Sequence, residues 1–487
     1  MTQSETGGTG PSVPAVPEPR AAEDAEREGA RDAEREGAPR PSRDPDPDSV
    51  RSLARRFAAS ADRAVVAGVT KVTDRALGPY QTAVVRIGFS FTWLAFLLFE
   101  WPNRRELYGP DGPWSWELGS RLVESNHAFT VLLWSDGTLW FETVYALAVL
   151  ASAALLVGWR TRTMSVLFMI GVLSLQNRSV FMGDGGDNVV HLMAMYLVLT
   201  RCGRVWSLDA RRRARRPADD PGTDPLGIAL WAVLGTALLV ATVRGEVGWF
   251  GEDGPVPFVG WATVLWSLWL VYGLWWCVRP TRPAGADAGE DGGADAGEDR
   301  GAETGRKADV RRLMDILGNV VHNAALLVIM AEVCLIYATA GWYKIQGSRW
   351  QDGTAVYYPL NLDYFAPWPA LSEVLGSSGP MVMVLSYGTV IVQVAFPFTL
   401  FNRRVKNVLL ALMILEHASI AVVLGLPFFS LAMIAADAVF LPTVFLVWLG
   451  GRAARLGRRL RLRPRSRGAA EREETDGASG PARTLVG

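Results

Sequence analysis

The stretch Leu326-Leu327-Val328-Ile329-Met330-Ala331-Glu332-Val333-Cys334-Leu335-Ile336-Tyr337-Ala338-Thr339-Ala340-Gly341-Trp342-Tyr343-Lys344 decides how this chain is read. Together with the residues from 319 onward, it is long enough to cross a hydrocarbon core, which takes about 20 apolar residues. Backbone groups in lipid have no water to bond, so such a run must be helical. It ends on Lys344, one of four lysines in a chain with 49 Lys and Arg residues together. A chain that writes arginine for its basic charge has a reason to place lysine at a helix mouth. Lysine can lose its proton when desolvated, and arginine effectively cannot.

Nine further stretches resemble the first. The ten lie near 82–99, 141–158, 164–181, 188–200, 226–243, 261–278, 319–340, 381–401, 407–425 and 427–449. The whole-chain averages, 487 residues with 49% hydrophobic content and zero net charge, describe an ordinary soluble protein. They mislead because apolar and charged residues are segregated. The expected fold is an all-α polytopic integral membrane protein, a bundle of about ten transmembrane helices. The loops 100–140 and 341–380 are too long for turns and rich in tryptophan, so interfacial helices are expected there.

Charge sets the direction. Arg160 and Arg162, Arg211 to Arg216, Arg403, Arg404 and Lys406, and the arginine-rich tail from Arg452 fall on one side. By the positive-inside rule that side is cytoplasmic, with both termini on it and the chain in the plasma membrane. Residues 1–50, which repeat Asp-Ala-Glu-Arg-Glu-Gly-Ala at 24–30 and 32–38, read as a disordered N-terminal tail. Residues 51–81 read as a basic juxtamembrane segment, 82–449 as the membrane domain, 281–310 within it as a disordered linker, and 450–487 as a basic disordered tail. Cys202, Cys277 and Cys334 show neither disulfide nor metal spacing and read as small packing residues.

Ionisable residues inside spans are costly and point to function. Arg86, Glu142, His191, Glu332, Glu416, His417 and Asp437 lie in spans, and Asp184, Asp187 and Lys344 at helix mouths. Arg86 reads as an ion-pair partner or snorkelling anchor. Glu142 suits the interface, Asp187-Asn188 a helix cap, and Glu332 and Asp437 interhelical hydrogen bonds. No His, Cys or carboxylate pair has zinc spacing, and neither a phosphate loop nor a Gly-x-Ser-x-Gly elbow occurs. No metal and no nucleic-acid partner is expected.

Five blocks stand in order: Arg86-Ile87-Gly88; Gly183-Asp184-Gly185-Gly186-Asp187-Asn188; Trp206-Ser207-Leu208-Asp209; Tyr337 to Lys344 followed by Trp350 and Gly353; and His417 through Leu424-Gly425-Leu426-Pro427-Phe428-Phe429-Ser430. As an ordered set over about 85–445 they resemble the HTTM (horizontally transferred transmembrane) domain, the membrane part of vitamin K-dependent gamma-glutamyl carboxylases and of many bacterial proteins. In those carboxylases a lysine amine deprotonates a reduced naphthoquinone, which reacts with oxygen to give an epoxide and a strong base. That base removes a glutamate γ-proton, and carbon dioxide adds to the carbanion. The resemblance implies Lys344 and His417 as catalytic residues. It implies Asp187, Asn188, His191, Trp342 and Tyr343 around the cofactor, and reduced menaquinone as that cofactor. The carboxylases carry a large folded domain after the membrane part, where this chain has an arginine-rich tail, so a protein-glutamate substrate is not expected. The alternative is a non-enzymatic membrane module for maturation, export or immunity of a secreted peptide or neighbouring-gene product. Transport ranks third, because no inverted repeat is visible.

Overall fold

The computed structural model describes residues 47–215, 224–251, 258–278 and 294–461. They divide into a unit ending at Val69, whose described part is helical, and a unit of Thr70 onward that holds the bundle. The helices are α1 (Pro47–Asp74), α2 (Pro79–Phe99), α3 (Arg104–Tyr108), α4 (Trp116–Asn126), α5 (Thr138–Val157), α6 (Thr161–Arg178), α7 (Gly185–Leu199), α8 (Leu208–Arg215), α9 (Pro225–Val243) and α10 (Trp261–Cys277). They continue with α11 (Ala294–Gln346), α12 (Ser348–Gln351), α13 (Tyr357–Leu360), α14 (Pro369–Gly376), α15 (Gly379–Phe398), α16 (Arg403–Val423), α17 (Pro427–Asp437) and α18 (Thr443–Arg461). Pro79, Pro225, Pro369 and Pro427 each open a helix, where a missing N–H costs nothing. A two-residue antiparallel pairing, Phe250 to Val259 and Gly251 to Phe258, closes the α9–α10 hairpin.

Among the described residues, six helices are long and apolar enough to cross a membrane: α2, α5, α9, the Gly305–Gln346 part of α11, α15 and α16. The bent pair α17–α18 makes up to seven. α6, α7 and α10 coincide with expected stretches but run 18, 15 and 17 residues. The protein is therefore an α-helical, membrane-embedded chain. The expected loops hold short helices: α3 and α4 in one, α12 to α14 in the other.

Four expectations are corrected. The last stretch, 427–449, is not one span, because α17 and α18 meet at 117°. Pro442 causes the break, since it cannot donate to a helix and pushes Leu441 out of helical geometry. The break is held by Gln81, whose Nε2 donates to Leu441 O at 3.0 Å, and by Lys406, whose Nζ donates to Phe440 O at 2.6 Å. The linker 281–310 is helical from Ala294 onward, because its Ala, Glu, Arg and Lys are helix formers once attached to a span; 281–293 lie outside the described residues. Helix also occupies 47–50 and 450–461 of the expected tails, while 1–46 and 462–487 lie outside the described residues. Cys277 is exposed rather than packed, while Cys202 is buried and Cys334 intermediate.

The core centres on α17, which packs against α2, α7, α16 and α11. Its Ala432, Ala436 and Asp437 are buried, and Ala432 and Ala436 belong to one apolar cluster with Phe89, Trp93 and Leu97 of α2 and Met413 of α16. α9 and α10 pair through Trp231 and Trp269, stacked at 3.9 Å. Each of these indole N–H groups donates to the other's backbone carbonyl.

Candidate functional site

Gly341 lets α11 approach α15: a Cβ at that position would lie 2.6 Å from Val394 Cγ2. Small residues at a crossing bring two membrane helices close together. This crossing sets Lys344 beside Gln393. Lys344 Nζ donates to Gln393 Oε1 at 2.8 Å, and Gln393 Nε2 donates to Glu416 Oε1 at 2.6 Å. The two bonds fix the amide's orientation, since only its oxygen accepts and only its nitrogen donates. The Trp350 ring lies 5.4 Å from Nζ. The row thus joins three helices as Lys344, Gln393 and Glu416, covered by one indole.

Lys344 ends its own helix, as expected, but not at the bundle's rim. Gln393 is 14 residues along α15, roughly 21 Å from the helix start at 1.5 Å per residue. The amine sits at the depth of the inner half of its neighbour.

Two turns back along α11, Tyr337 is buried with its hydroxyl 3.0 Å from His417 Nε2. His417 adjoins Glu416 in sequence, so one turn of α16 serves both partners. Phe396 packs edge-on against the Tyr337 ring at 6.0 Å, and Phe429 against His417 at 5.6 Å. Asp437 also faces the Tyr337 hydroxyl and lies in the electrostatic field of Glu416. It is 0% exposed, and neither of its oxygens has a hydrogen-bond partner. His417 Nδ1 is likewise buried without a partner.

The Asp187 segment forms a separate cluster. Asp184 caps α7, accepting from Gly186 N and Asp187 N, while Asp187 Oδ2 accepts from Asp184 N at 2.8 Å. This reciprocal capping box is what Asp187 does. Gln176 of α6 donates to Asp187 O and accepts from His191 Nδ1, both at 2.9 Å. Phe429 stands between the clusters, since Gly185 and Gly186 pack on it from one side and His417 from the other. Asn188 is exposed, and Trp342 and Tyr343 are 59% and 74% exposed on the outer side of α11. Of the seven residues expected at the site, Lys344 and His417 are brought together. Asp187 and His191 meet elsewhere through Gln176, and Asn188, Trp342 and Tyr343 point away.

Other polar residues are structural. Arg86 is fully buried, so it does not snorkel, and it makes no ion pair among the described residues, which corrects the expectation. Its guanidinium donates to Leu155 O, Leu156 O and Trp206 O, capping the end of α5. Gly158, with φ of +73°, makes the left-handed turn there. Asp209 accepts from Arg160 N, Thr161 N and Thr161 Oγ1, capping the start of α6. Two of the recognised blocks thus fasten helix ends. Glu332 accepts from Tyr196 at 3.2 Å, an interhelical bond as expected, and Glu142 pairs with Arg104 and Arg105.

Three residues escaped the sequence reading. Gln393 carries no charge and gave no signal. Tyr337 stood in a recognised block but drew no separate notice. His322, in the opening stretch, accepts from Arg201 N and donates to Leu77 O; flanked by Asn319 and Asn323, it clamps residues 72–77. Its spacing with those asparagines, i, i+3 and i+4 on one helix face, was the readable sign.

No family model matches the chain, and no solved structure is similar to it. An uncharacterized Bacillus subtilis protein, YitO, is 30% identical over 121 residues, which are 24% of this chain and 39% of that protein. The chain therefore matches about two fifths of that relative's length, and the similarity assigns neither a family nor an activity.

Proposed function

We propose that the protein is a multi-pass plasma-membrane enzyme with about ten spans and both termini cytoplasmic. In this reading Lys344 is the amine base of a site that takes a reduced naphthoquinone of the menaquinol type, as in the HTTM domain of the carboxylases. The observation that carries the reading is the row Lys344, Gln393, Glu416: a lysine amine held by a neutral amide at the depth of a bundle, not by a carboxylate at its rim.

The residues suit an aromatic ligand with hydroxyls. Lys344 Nζ has one protein acceptor and can offer or receive hydrogens elsewhere, His417 Nδ1 is buried and free, and Trp350, Phe429 and Tyr337 supply flat apolar faces. A naphthoquinol, when bound, supplies a ring hydroxyl and the electrons that oxygen takes up. Lys344 Nζ receives and holds the hydroxyl proton. Gln393 keeps Nζ aimed, and the nearby Glu416 carboxyl and Trp350 ring face stabilise the ammonium once formed.

The experiment is quinone epoxide formation by the purified protein in liposomes given menaquinol and oxygen. Lys344→Arg keeps a positive charge but removes a usable base, and is expected to lower the yield on the order of 100-fold or more. Gln393→Leu is expected to lower it about tenfold, by losing the aim of Nζ. Equal yields from wild type and Lys344→Arg would remove Lys344 from the chemistry.

A further inference from the structure

Asp437 takes no part in the function just proposed, yet it is the most deeply placed carboxyl among the described residues of the bundle core. It is 0% exposed on α17, with neither oxygen hydrogen-bonded. The groups around it are few. Tyr337 of α11 and Glu416 of α16 act on it; His417 meets the same tyrosine, Lys344 acts on His417, and Lys406 is committed to Phe440 O. The Arg86 guanidinium of α2 is engaged by three carbonyls, and His191 of α7 is held by Gln176. No cation meets the Asp437 carboxyl among the described residues. A bare carboxylate in such a place is costly, whereas a neutral acid needs only an acceptor for its O–H.

Tyr337 has one proton and two neighbours, His417 Nε2 at 3.0 Å and Asp437. It can donate to only one and accept from the other. If it donated to Asp437, the core would hold either an anion with a single donor or a neutral acid whose own O–H, away from the site, has no acceptor. If it donates to His417, all three side chains are neutral and every proton but one has an acceptor. That last proton falls on His417 Nδ1, the nitrogen that is buried and unpartnered.

We propose that Asp437, Tyr337 and His417 form a directional row, Asp437 O–H to Tyr337 Oη and Tyr337 O–H to His417 Nε2, which holds His417 as an Nδ1–H hydrogen-bond donor to a ligand oxygen in the site. Nδ1 donates a hydrogen bond to that oxygen while all three side chains stay neutral. His417 is then a hydrogen-bond donor for the ligand, and Tyr337 and Asp437 are its positioning residues. This goes beyond the proposed function, because it does not depend on the ligand being a quinol.

The test is nitrogen NMR of the full chain in micelles, with histidine labelled at both ring nitrogens and His417→Gln assigning its signals among the four histidines. The row requires the proton of His417 on Nδ1 and a bare Nε2. Tyr337→Phe and Asp437→Leu should move the proton to Nε2 or mix the tautomers. Asp437→Asn keeps a donor in the same place and should restore the Nδ1–H form. An Nε2–H tautomer in the wild type would overturn the row, and so would an unchanged tautomer in Tyr337→Phe. Neither reading depends on activity, so a failed quinol assay leaves this result standing.

Discussion

Arg86 and Asp209 show how buried charge in this chain is spent on helix ends. Arg86 satisfies two carbonyls at the end of α5 and that of Trp206, and Asp209 three donors at the start of α6. Arg86→Met keeps the bulk but strands those carbonyls. It is expected to cost about 3 kcal/mol, read as lower thermal stability in detergent. Asp209→Ala is expected to cost about 1–2 kcal/mol by the same measurement, as the loss of a helix cap. A stability unchanged in Arg86→Met would show that water takes over the three carbonyls. The sequence made Lys344 and His417 legible because charge in an apolar run is rare. It hid Gln393, which aims the lysine, because a neutral amide looks like any polar residue. Asp187 was legible as a cap, and the capping box bears that out; its assignment to the cofactor had no such local signal.

Apart from α11 and the broken last stretch, helix positions were legible to within about four residues, because lipid or core forces an apolar face on every buried turn. Thr138–Val157, for example, lies close to the expected 141–158. The break at Leu441-Pro442 was not legible, since hydropathy stays high across it and only the backbone changes. Nor was the helical continuation before residue 310, where composition suggested a linker and the attached span extends the helix. The α11–α15 crossing is the junction on which the site depends. Gly341→Leu would drive a side chain into Val394 and separate the helices. It is expected to abolish epoxide formation while leaving expression and helix content near wild type by circular dichroism. Activity retained in Gly341→Leu would mean that the close approach does not position Lys344.

The distribution of Lys and Arg makes a claim about the molecule as a unit. Reporter fusions at 137, 245 and 377 are expected to report the outer side, and fusions at 160, 204 and 402 the cytoplasmic side. A reversed pattern would put both termini outside and overturn the orientation read from the Lys and Arg distribution. Charge asymmetry was visible in the sequence because topology is set by residues that flank spans. The meeting of α11, α15 and α16 was not, because it depends on which helices neighbour one another, and periodicity carries no record of that.

Acylation of the lysines with a membrane-permeant amine reagent, read by mass spectrometry with and without a naphthoquinol in the micelle, addresses the Lys344 site itself. Lys71, which is exposed, serves as the internal control. If Lys344 is the amine that receives the quinol's proton, its labelling should fall severalfold when quinol is present, while that of Lys71 stays constant. Labelling of Lys344 that is the same with and without quinol would contradict the account.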